Sequence, residues 1–300
     1  MEQYYCDFGS WLRTQFPYKV QKISVNAGFT CPNRDGRIGR GGCIYCNNQT
    51  FNPAYCDNGK SVTQQLEDGK KFFSNKYPDM KYLAYFQAYT NTYGTNEHIK
   101  TLYEEALAVE DVVGLVIGTR PDCINNDLLD YFEELNHRTF LIVEYGVETC
   151  NDATLRLVNR GHDFACARKA IEETARRGIR VGAHIILGLP GEDAEESLRQ
   201  APIISSLPLK IHQLQIIRGT RLAKMYAEKP FHLYTIEEYI KLIADYISLL
   251  RSDLVLERFV SQSPPELLIA PKWGLKNYEF THRLHNYMKE CLNNKELLDK

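Results

Sequence analysis

Short apolar runs alternate with amphipathic segments along the chain. Six runs predict β-strands, at residues 22–29, 82–88, 112–118, 139–145, 180–187 and 212–217. Apolar residues at helical spacing follow in three sets: Ile99, Leu102, Tyr103 and Ala106; Leu128, Leu129, Phe132 and Leu135; and Ile236, Ile240, Ile243, Ile247 and Leu250. This alternation predicts an α/β fold with a parallel sheet and crossover helices.

Six strands over about 200 residues fit a partial barrel better than a closed eight-stranded one, which needs about 250 residues. We therefore expect a partial (β/α)6, TIM-like barrel over residues 22–250, with an N-terminal extension at 1–21 and a C-terminal extension at 251–300 that packs on it. In such folds the active site lies at the carboxyl ends of the strands. The segments 87–92, 119–123, 144–148 and 188–192, together with Cys31 and Arg218, fall at those ends.

Composition limits the classes of partner and compartment. The chain has 300 residues, 44% hydrophobic and 25% charged, which is typical of a globular protein. A net charge of -2 gives no overall attraction to nucleic acid, so RNA would have to bind a local patch. Because the amino terminus lacks a signal-peptide pattern and no run reaches 18 apolar residues, we expect a cytoplasmic protein without a membrane span.

Three of the nine cysteines are clustered in the sequence. Cys31, Cys43 and Cys46 form the spacing C-x11-C-x2-C around a glycine-rich loop that carries Arg34, Arg37 and Arg40. Three protein ligands leave one coordination position open, which favours a catalytic metal site over a structural one. Zinc is the alternative, with Cys56 as a fourth ligand by spacing.

Several segments in order resemble the radical S-adenosylmethionine superfamily, in its elongator-catalytic-subunit-like branch of YhcC/YtqA type. The segments that carry the resemblance are 24–36, 41–47, 86–93, 118–123, 143–149, 159–162 and 182–192. The first cysteine gap is eleven residues, as in the elongator-like branch. The usual gap in the superfamily is three residues. The resemblance implies a radical SAM barrel.

The resemblance also implies a cofactor set and its contacts. Cys31, Cys43 and Cys46 would bind three irons of a [4Fe-4S] cluster, and the fourth iron would bind S-adenosylmethionine. We expect the other cofactor contacts to come from eight residues: Tyr45, Thr90, Asn91, Glu148, Arg160, His184, Gly188 and Gln215. Structural alternatives stay open for each, such as an ion pair for Glu144 and Arg160 or a core position for His184. No catalytic residue is assigned beyond the cluster.

The family resemblance implies reductive cleavage of S-adenosylmethionine to a 5'-deoxyadenosyl radical, with an electron donor such as flavodoxin or ferredoxin. The elongator-like branch suggests a tRNA base as substrate, such as a wobble uridine, with Lys272, Trp273, Lys276 and Arg283 near the RNA. About 80 residues follow the last predicted strand, fewer than a typical domain, so we expect no acetyltransferase domain. The alternatives are a protein or small-metabolite substrate, a noncatalytic zinc-stabilised module, and a scaffold without chemistry.

Overall fold

The computed structural model describes residues 4–50, 52–74, 79–205 and 209–298. The first three residues of the predicted N-terminal extension therefore lie outside the described residues. The strands are β1 Cys6–Asp7, β2 Val20–Val25, β3 Lys81–Phe86, β4 Val112–Thr119, β5 Phe140–Glu148, β6 Arg180–Leu187, β7 Leu209–Gln213, β8 Ile216–Ile217, β9 Val255–Leu256 and β10 Leu268–Ala270. The helices are α1 Phe8–Gln15, α2 Pro32–Asp35, α3 Val62–Ser74, α4 Asn96–Leu107, α5 Asn126–Arg138, α6 Asp152–Leu157, α7 Phe164–Arg176, α8 Ala194–Ile204, α9 Arg221–Glu228, α10 Ile236–Ser248 and α11 Asn277–Leu298.

The main sheet is parallel and curled into a partial barrel. Its strand order is β1-β9-β7-β6-β5-β4-β3-β2, so the six longer strands β2 to β7 are consecutive neighbours. Lys22 on the edge strand β2 places its Nζ 2.7 Å from Oε2 of Glu257, just after β9, which is the second strand from the opposite edge. A flat sheet could not bring these two edges together. The predicted α/β fold with a partial, TIM-like six-stranded barrel is confirmed.

The barrel has an apolar outer layer and an apolar plug at its lower end. Helices cover the outer face of the sheet, where buried side chains of α4, α5, α7 and α10 pack on the strands. Inside, Leu83, Val116 and Ile142 pack against Leu12 and Trp11 of α1. The N-terminal helix thus closes the end of the barrel that lies opposite the carboxyl ends of the strands.

Two strands end earlier than the apolar pattern predicts. The strand β2 ends at Val25 because the Gln65 side chain takes over the backbone of Asn26, accepting from its N–H at 2.9 Å and donating to its carbonyl at 3.0 Å. The strand β3 ends at Phe86 because Ala88 and Tyr89 have φ values of 75° and 60°, which a strand does not accommodate. The early end of β3 leaves Gln87 and Ala88 to line the space above the barrel.

The prediction of one strand over 212–217 was wrong. The sheet strand is β7, and Ile216–Ile217 instead pairs antiparallel with β10 in a separate two-stranded sheet. The side-chain amides of Gln213 and Gln215 both donate to the carbonyl of Ser261, at 3.2 and 3.0 Å. These bonds tie the chain to residues after β9 at the point where it leaves the sheet.

The three predicted helices are confirmed as α4, α5 and α10. Residues beyond 250 join the same sheet through β9 and pack α11 on α10. The division at residue 250 stays a prediction. Within the described ranges, no helix has the length and apolar character that crossing a membrane requires.

Candidate active site

A cavity of about 220 Å3 opens at the carboxyl ends of the barrel strands. Cys31, Cys43 and Cys46 all line it, together with residues from the ends of β3, β4, β5, β6 and β7. Of the strand-end segments predicted to meet, 87–92, 119–123 and 144–148 contribute to the lining. The segment 188–192 and Arg218 do not.

The cysteine loop folds on itself through its own backbone. The carbonyl of Cys31 accepts from the N–H of Arg34 at 2.8 Å as α2 begins. Gly36 ends α2 at φ 101°, and the N–H of Gly42 then donates to the carbonyl of Asn33 at 2.8 Å. These bonds return the chain over α2 and bring Cys43 back to the side of Cys31.

Ile44 anchors the paired cysteines to the rest of the molecule. Its side chain is 2% exposed and packs in a small apolar cluster with Val158, Leu214 and Leu222. Its N–H donates to the carbonyl of Val158 at 3.0 Å, and its carbonyl accepts from the N–H of Leu222 at 2.8 Å. The segment Cys43–Cys46 is therefore fixed at the cavity wall.

Cys31 and Cys43 are buried, Cys46 is half-buried, and the three thiols interact electrostatically. Burial and the neighbouring Cys43 raise the pKa of the Cys46 thiol to about 12, while Arg34 and Arg160 oppose that rise. The guanidinium of Arg160 lies 3.6 Å from Sγ of Cys43, and the amide of Asn33 lies 3.8 Å from the same sulfur. Cations and N–H donors thus already face the sulfurs, as thiolate ligands require.

Arg160 and Glu148 meet at a bulge in β5. Nη2 of Arg160 is 3.4 Å from Oε1 of Glu148 and donates to the carbonyl of Gly146 at 2.5 Å. The register with β6 shifts between Gly146 and Glu148, and Glu148 has φ 73°. A Cβ on Gly146 would lie 2.5 Å from Arg160 Nη2 and 2.6 Å from Glu148 Oε1. Only glycine leaves room for this ion pair.

Thr90 and Asn91 are both buried but differ in position. Thr90 lines the cavity, and its hydroxyl has no partner among the described residues. Asn91 lies behind the lining, where its amide donates to the carbonyls of Gly118 at 2.7 Å and Phe86 at 3.2 Å. Asn91 therefore ties the ends of β3 and β4 together, and Thr90 faces the cavity.

The other predicted cofactor residues are divided in the same way. Tyr45, His184 and Gln215 line the cavity, and the buried hydroxyl of Tyr45 has no partner in the described part of the chain. Gly188 lies outside the lining with φ 87°, and a Cβ there would be 3.1 Å from the Tyr234 ring. The close approach of the Tyr234 ring explains why position 188 is a glycine.

A buried charge network fills the barrel below the cavity, and the sequence reasoning missed most of it. Glu144 accepts from Lys22 at 2.8 Å, from Lys210 at 3.0 Å and lies 2.8 Å from Nε2 of His184. Glu257 binds the same two lysines, at 2.7 and 3.2 Å. Burial acts to raise the pKa of Glu144, but Lys210 and Lys22 hold it well below its usual range.

His212 and Arg258 continue this network to a part of the cavity lining that, together with Ser261, we call the far wall. Nδ1 of His212 lies 2.7 Å from Oγ of Ser261, and the guanidinium of Arg258 lies 3.4 Å from the same nitrogen. Burial, followed by Arg258, lowers the pKa of His212 well below its usual value. One sequence signal could have found part of this wall: Lys210 and His212 alternate with apolar residues at strand period, as inward-facing positions do.

Comparison with known proteins identifies the family. The model of the Radical SAM superfamily matches residues 31–199, which include all three clustered cysteines. The chain belongs to the radical SAM superfamily. A Radical_SAM C-terminal domain model matches residues 208–290 of this radical SAM chain. It is 37% identical to the protein YtqA of Bacillus subtilis over 93% of its own length and 87% of the relative's.

Two longer proteins are more distant. The solved structure of the archaeal Methanocaldococcus infernus Elp3 with an N-terminal deletion has a TM-score of 0.66, at 19% identity, over 91% of this chain and 63% of that one. That likeness shows the fold. A tRNA uridine(34) acetyltransferase of the same organism is 26% identical over 65% of this chain and 38% of its own. The family match shows that this chain is a radical SAM enzyme.

The residues around the cysteines fit the family's cofactors. Beside three thiols, the cavity presents buried polar atoms that have no partner among the described residues: Arg34 Nη1, Tyr45 Oη, Thr90 Oγ1 and Arg160 Nε. In the described ranges no group of three or more His, Cys, Asp or Glu side chains is placed to hold a metal ion. A [4Fe-4S] cluster is held by thiolates on separate irons, so its ligands need not converge on one point. Cys56 does not line the cavity.

Proposed function

We propose that Cys31, Cys43 and Cys46 hold a [4Fe-4S] cluster and that the chain cleaves S-adenosylmethionine reductively. A bound, reduced cluster would supply the one electron needed to cleave a carbon–sulfur bond of S-adenosylmethionine, which would give methionine and a 5'-deoxyadenosyl radical. The observation that supports this most directly is one cavity, in a radical SAM chain, lined by three thiols and unpaired polar atoms.

The chain's own groups have distinct roles in this proposal. Arg160 and Asn33 direct N–H donors at Cys43, which stabilises a thiolate there. Thr90 and Glu148 line the cavity and would accept from the cofactor's ammonium group, and Arg160, which also lines it, would pair with the cofactor's carboxylate. Tyr45, His184 and Gln215 supply polar contacts on the remaining walls. The closed lower end of the barrel and its apolar plug exclude water from below.

Metal content tests the cluster. Anaerobically reconstituted protein should carry about four irons per chain, and a triple Cys→Ala variant at 31, 43 and 46 should carry none. A matched control replaces Cys6, Cys150 and Cys166, none of which lines the cavity, and should keep the iron. Zinc without iron in the unaltered protein would support the zinc-stabilised module instead.

Cofactor cleavage tests the chemistry separately. Reconstituted protein with dithionite should release 5'-deoxyadenosine from S-adenosylmethionine, even without the true substrate. A protein that holds iron but releases no 5'-deoxyadenosine would be a scaffold that has lost its catalytic activity. In the cell, a reduced flavodoxin or ferredoxin would take the place of dithionite.

For the substrate we propose a tRNA base. The support is the relative named as a tRNA uridine(34) acetyltransferase and the rim of the cavity. In the cavity lining, the guanidinium of Arg34 lies 5.7 Å from the ring centroid of Tyr89. Outside that lining, the guanidinium of Arg37 lies 5.5 Å from the ring centroid of Tyr93. Arginine and aromatic side chains of this kind bind phosphates and unstacked bases.

One of the C-terminal residues expected near RNA, Trp273, is occupied within the fold. The Trp273 ring is stacked on Phe280 and its Nε1 donates to the carbonyl of Tyr234 at 3.2 Å, so it serves the fold. Comparing modified nucleosides in RNA from cells with and without the gene tests the RNA proposal. We expect one modified nucleoside to be missing from the strain without the gene and to return when the unaltered gene is supplied. A gene that encodes the double variant Arg37→Gln, Tyr93→Ala should restore it poorly. Identical nucleoside profiles would favour a protein or metabolite substrate.

A further inference from the structure

Arg258 is a cation on the far wall of the cavity with no carboxylate partner. None of the ion pairs among the described residues includes it. Its closest polar contacts are the ring nitrogens of His212, at 3.4 and 3.5 Å. Its Nε is buried without a hydrogen-bond partner in the described ranges. A partly buried guanidinium in this state lacks the counter-charge that burial normally demands.

The arginines near the cysteines are different. Arg120 binds Asp122 at 2.8 Å, and Arg160 lies 3.4 Å from Glu148. Arg34 and Arg160 interact with the Cys46 thiol and oppose the rise of its pKa. The positive charge of each of these arginines is therefore balanced by a carboxylate or lies beside the cysteine sulfurs. Arg258 instead interacts electrostatically with His212 and Tyr85.

Nothing in the charge network below compensates Arg258. Two lysines, Lys22 and Lys210, are balanced by two carboxylates, Glu144 and Glu257, in direct ion pairs. Its neighbour His212 is buried, and a neutral imidazole carries no charge. The far wall therefore has one surplus positive charge, and it faces the cavity.

A second donor lines the same cavity. The Tyr85 hydroxyl accepts from Lys210 Nζ at 3.2 Å. Burial, followed by Glu144, raises the pKa of Tyr85 well above its usual value, so the hydroxyl keeps its proton. Tyr85 lines the cavity, and its proton can be donated to a group bound there.

We infer that the far wall is a binding subsite for an oxyanion of the substrate, a carboxylate or a phosphate, held by Arg258 with Tyr85 as a second donor. The inference rests on the proposed function, because it names the chemistry of the group that the radical reaction would position. A guanidinium suits both oxyanions, since its planar fork of donors matches their geometry. An uncharged substrate portion would leave Arg258 without a counter-charge.

Histidine resonances give a direct test. Reconstituted, anaerobic full-length protein labelled with 15N at its histidines is titrated at pH 8 with sodium acetate and, separately, with sodium phosphate. Sodium chloride at equal ionic strength is the reference, and a His212→Gln variant assigns the reporter resonance. We expect a saturable shift of His212 with acetate, phosphate or both, and none with chloride. A response to one anion alone identifies the oxyanion.

Variants and a competitor decide the assignment. Arg258→Gln should weaken the apparent affinity at least about tenfold, as expected for loss of a charged hydrogen bond. Arg251→Gln, at an exposed arginine paired with Asp253, should leave it unchanged. No saturable shift in the unaltered protein, an equal response in Arg258→Gln, or a shift abolished by saturating S-adenosylmethionine would overturn the inference. The last result would assign Arg258 to the cofactor.

The same sample separates this inference from the proposed function. Release of 5'-deoxyadenosine without an anion-dependent shift overturns the subsite alone. A shift without any release overturns the radical chemistry and leaves an oxyanion site in the cavity. The titration of the unaltered protein is decisive even if Arg258→Gln does not fold, and Arg258→Lys then serves as the weaker-binding variant.

Discussion

The cysteine wall of the cavity and the charge network beneath it solve opposite problems. On the cysteine wall, each of four residues keeps a buried polar atom that has no partner in the described ranges of the chain: Arg34, Tyr45, Thr90 and Arg160. In the network, Lys22, Glu144, Lys210 and Glu257 satisfy each other with ion pairs of 2.7 to 3.2 Å. One region is prepared for a ligand, and the other is complete by itself.

The difference separates groups that serve chemistry from groups that serve shape. Unpaired buried polar atoms cost free energy in the folded chain, so their concentration on one wall indicates a bound partner. A buried ion-pair network contributes little net stability, but breaking it is costly because charges are left unpaired. Arg258 differs from both groups, since it lines the cavity beside the network and has no carboxylate partner among the described residues.

The largest expected effect comes from breaking the network. Glu144→Gln removes the carboxylate that Lys22, Lys210 and His184 share. We expect the free energy of unfolding to fall by about 3 to 5 kcal/mol, because two buried ammonium groups lose a counter-charge. Urea unfolding monitored by circular dichroism measures this change.

The control for that variant lies on the surface. Glu133→Gln removes a half-exposed carboxylate that pairs with Arg177 at 3.2 Å. An exposed pair contributes little, so this change should cost less than about 1 kcal/mol. Similar losses in the two variants would mean that the network is no more than a set of solvated pairs.

A smaller effect is expected where the cysteine wall meets the sheet. Gly146→Ala would place a Cβ 2.5 Å from Arg160 and 2.6 Å from Glu148. We expect a loss of about 1 to 3 kcal/mol from overpacking, together with lower iron occupancy as Arg160 moves from Cys43. Gly94→Ala is the matched control, because its Cβ would meet nothing closer than 3.6 Å. Unfolding and iron analysis on both variants would show whether the bulge supports the cysteines.

The smallest effect concerns pH. Burial, followed by Lys210, lowers the pKa of His184, and burial, followed by Arg258, lowers that of His212. Below about pH 6.5 the unfolded chain binds protons that these folded histidines do not, so stability falls as pH falls. Each contributes a slope of up to about 1.4 kcal/mol per pH unit.

Urea midpoints between pH 5 and 8 measure this slope. His212→Gln should flatten it, and His137→Gln, at an exposed position, should not. A slope that His212→Gln leaves unchanged would show that other groups govern the acid response. The folded carboxylate of Glu144 adds its own loss only at lower pH, because its pKa is depressed.

Sequence patterns were most informative where neighbours in the chain are neighbours in space. The strand β6 was predicted with its observed bounds, and α4, α5 and α10 followed their apolar spacing. The three cysteines that line the cavity come from a segment of sixteen positions, 31 to 46. Patterns were weaker at strand ends, where side chains from distant segments, such as Gln65 on Asn26, decide where pairing stops.

The predicted cofactor contacts show the same limit. Tyr45, Glu148 and Arg160 line the cavity, whereas Asn91 ties two strands together and Gly188 faces Tyr234. Side-chain direction separates these cases, and a family motif does not encode it for each residue.

The sequence by itself determined the alternation of strands and helices, the cysteine spacing and the family, because each is written in short stretches of chain. Only the tertiary structure decided the network and the far wall. Lys22 and Glu257 are 235 positions apart, and they meet because the sheet curls until its two edges face each other. That curvature also turns Arg258 toward the cavity without a counter-charge. Such a relation between distant residues is a property of the closed shape, and no local pattern reports it.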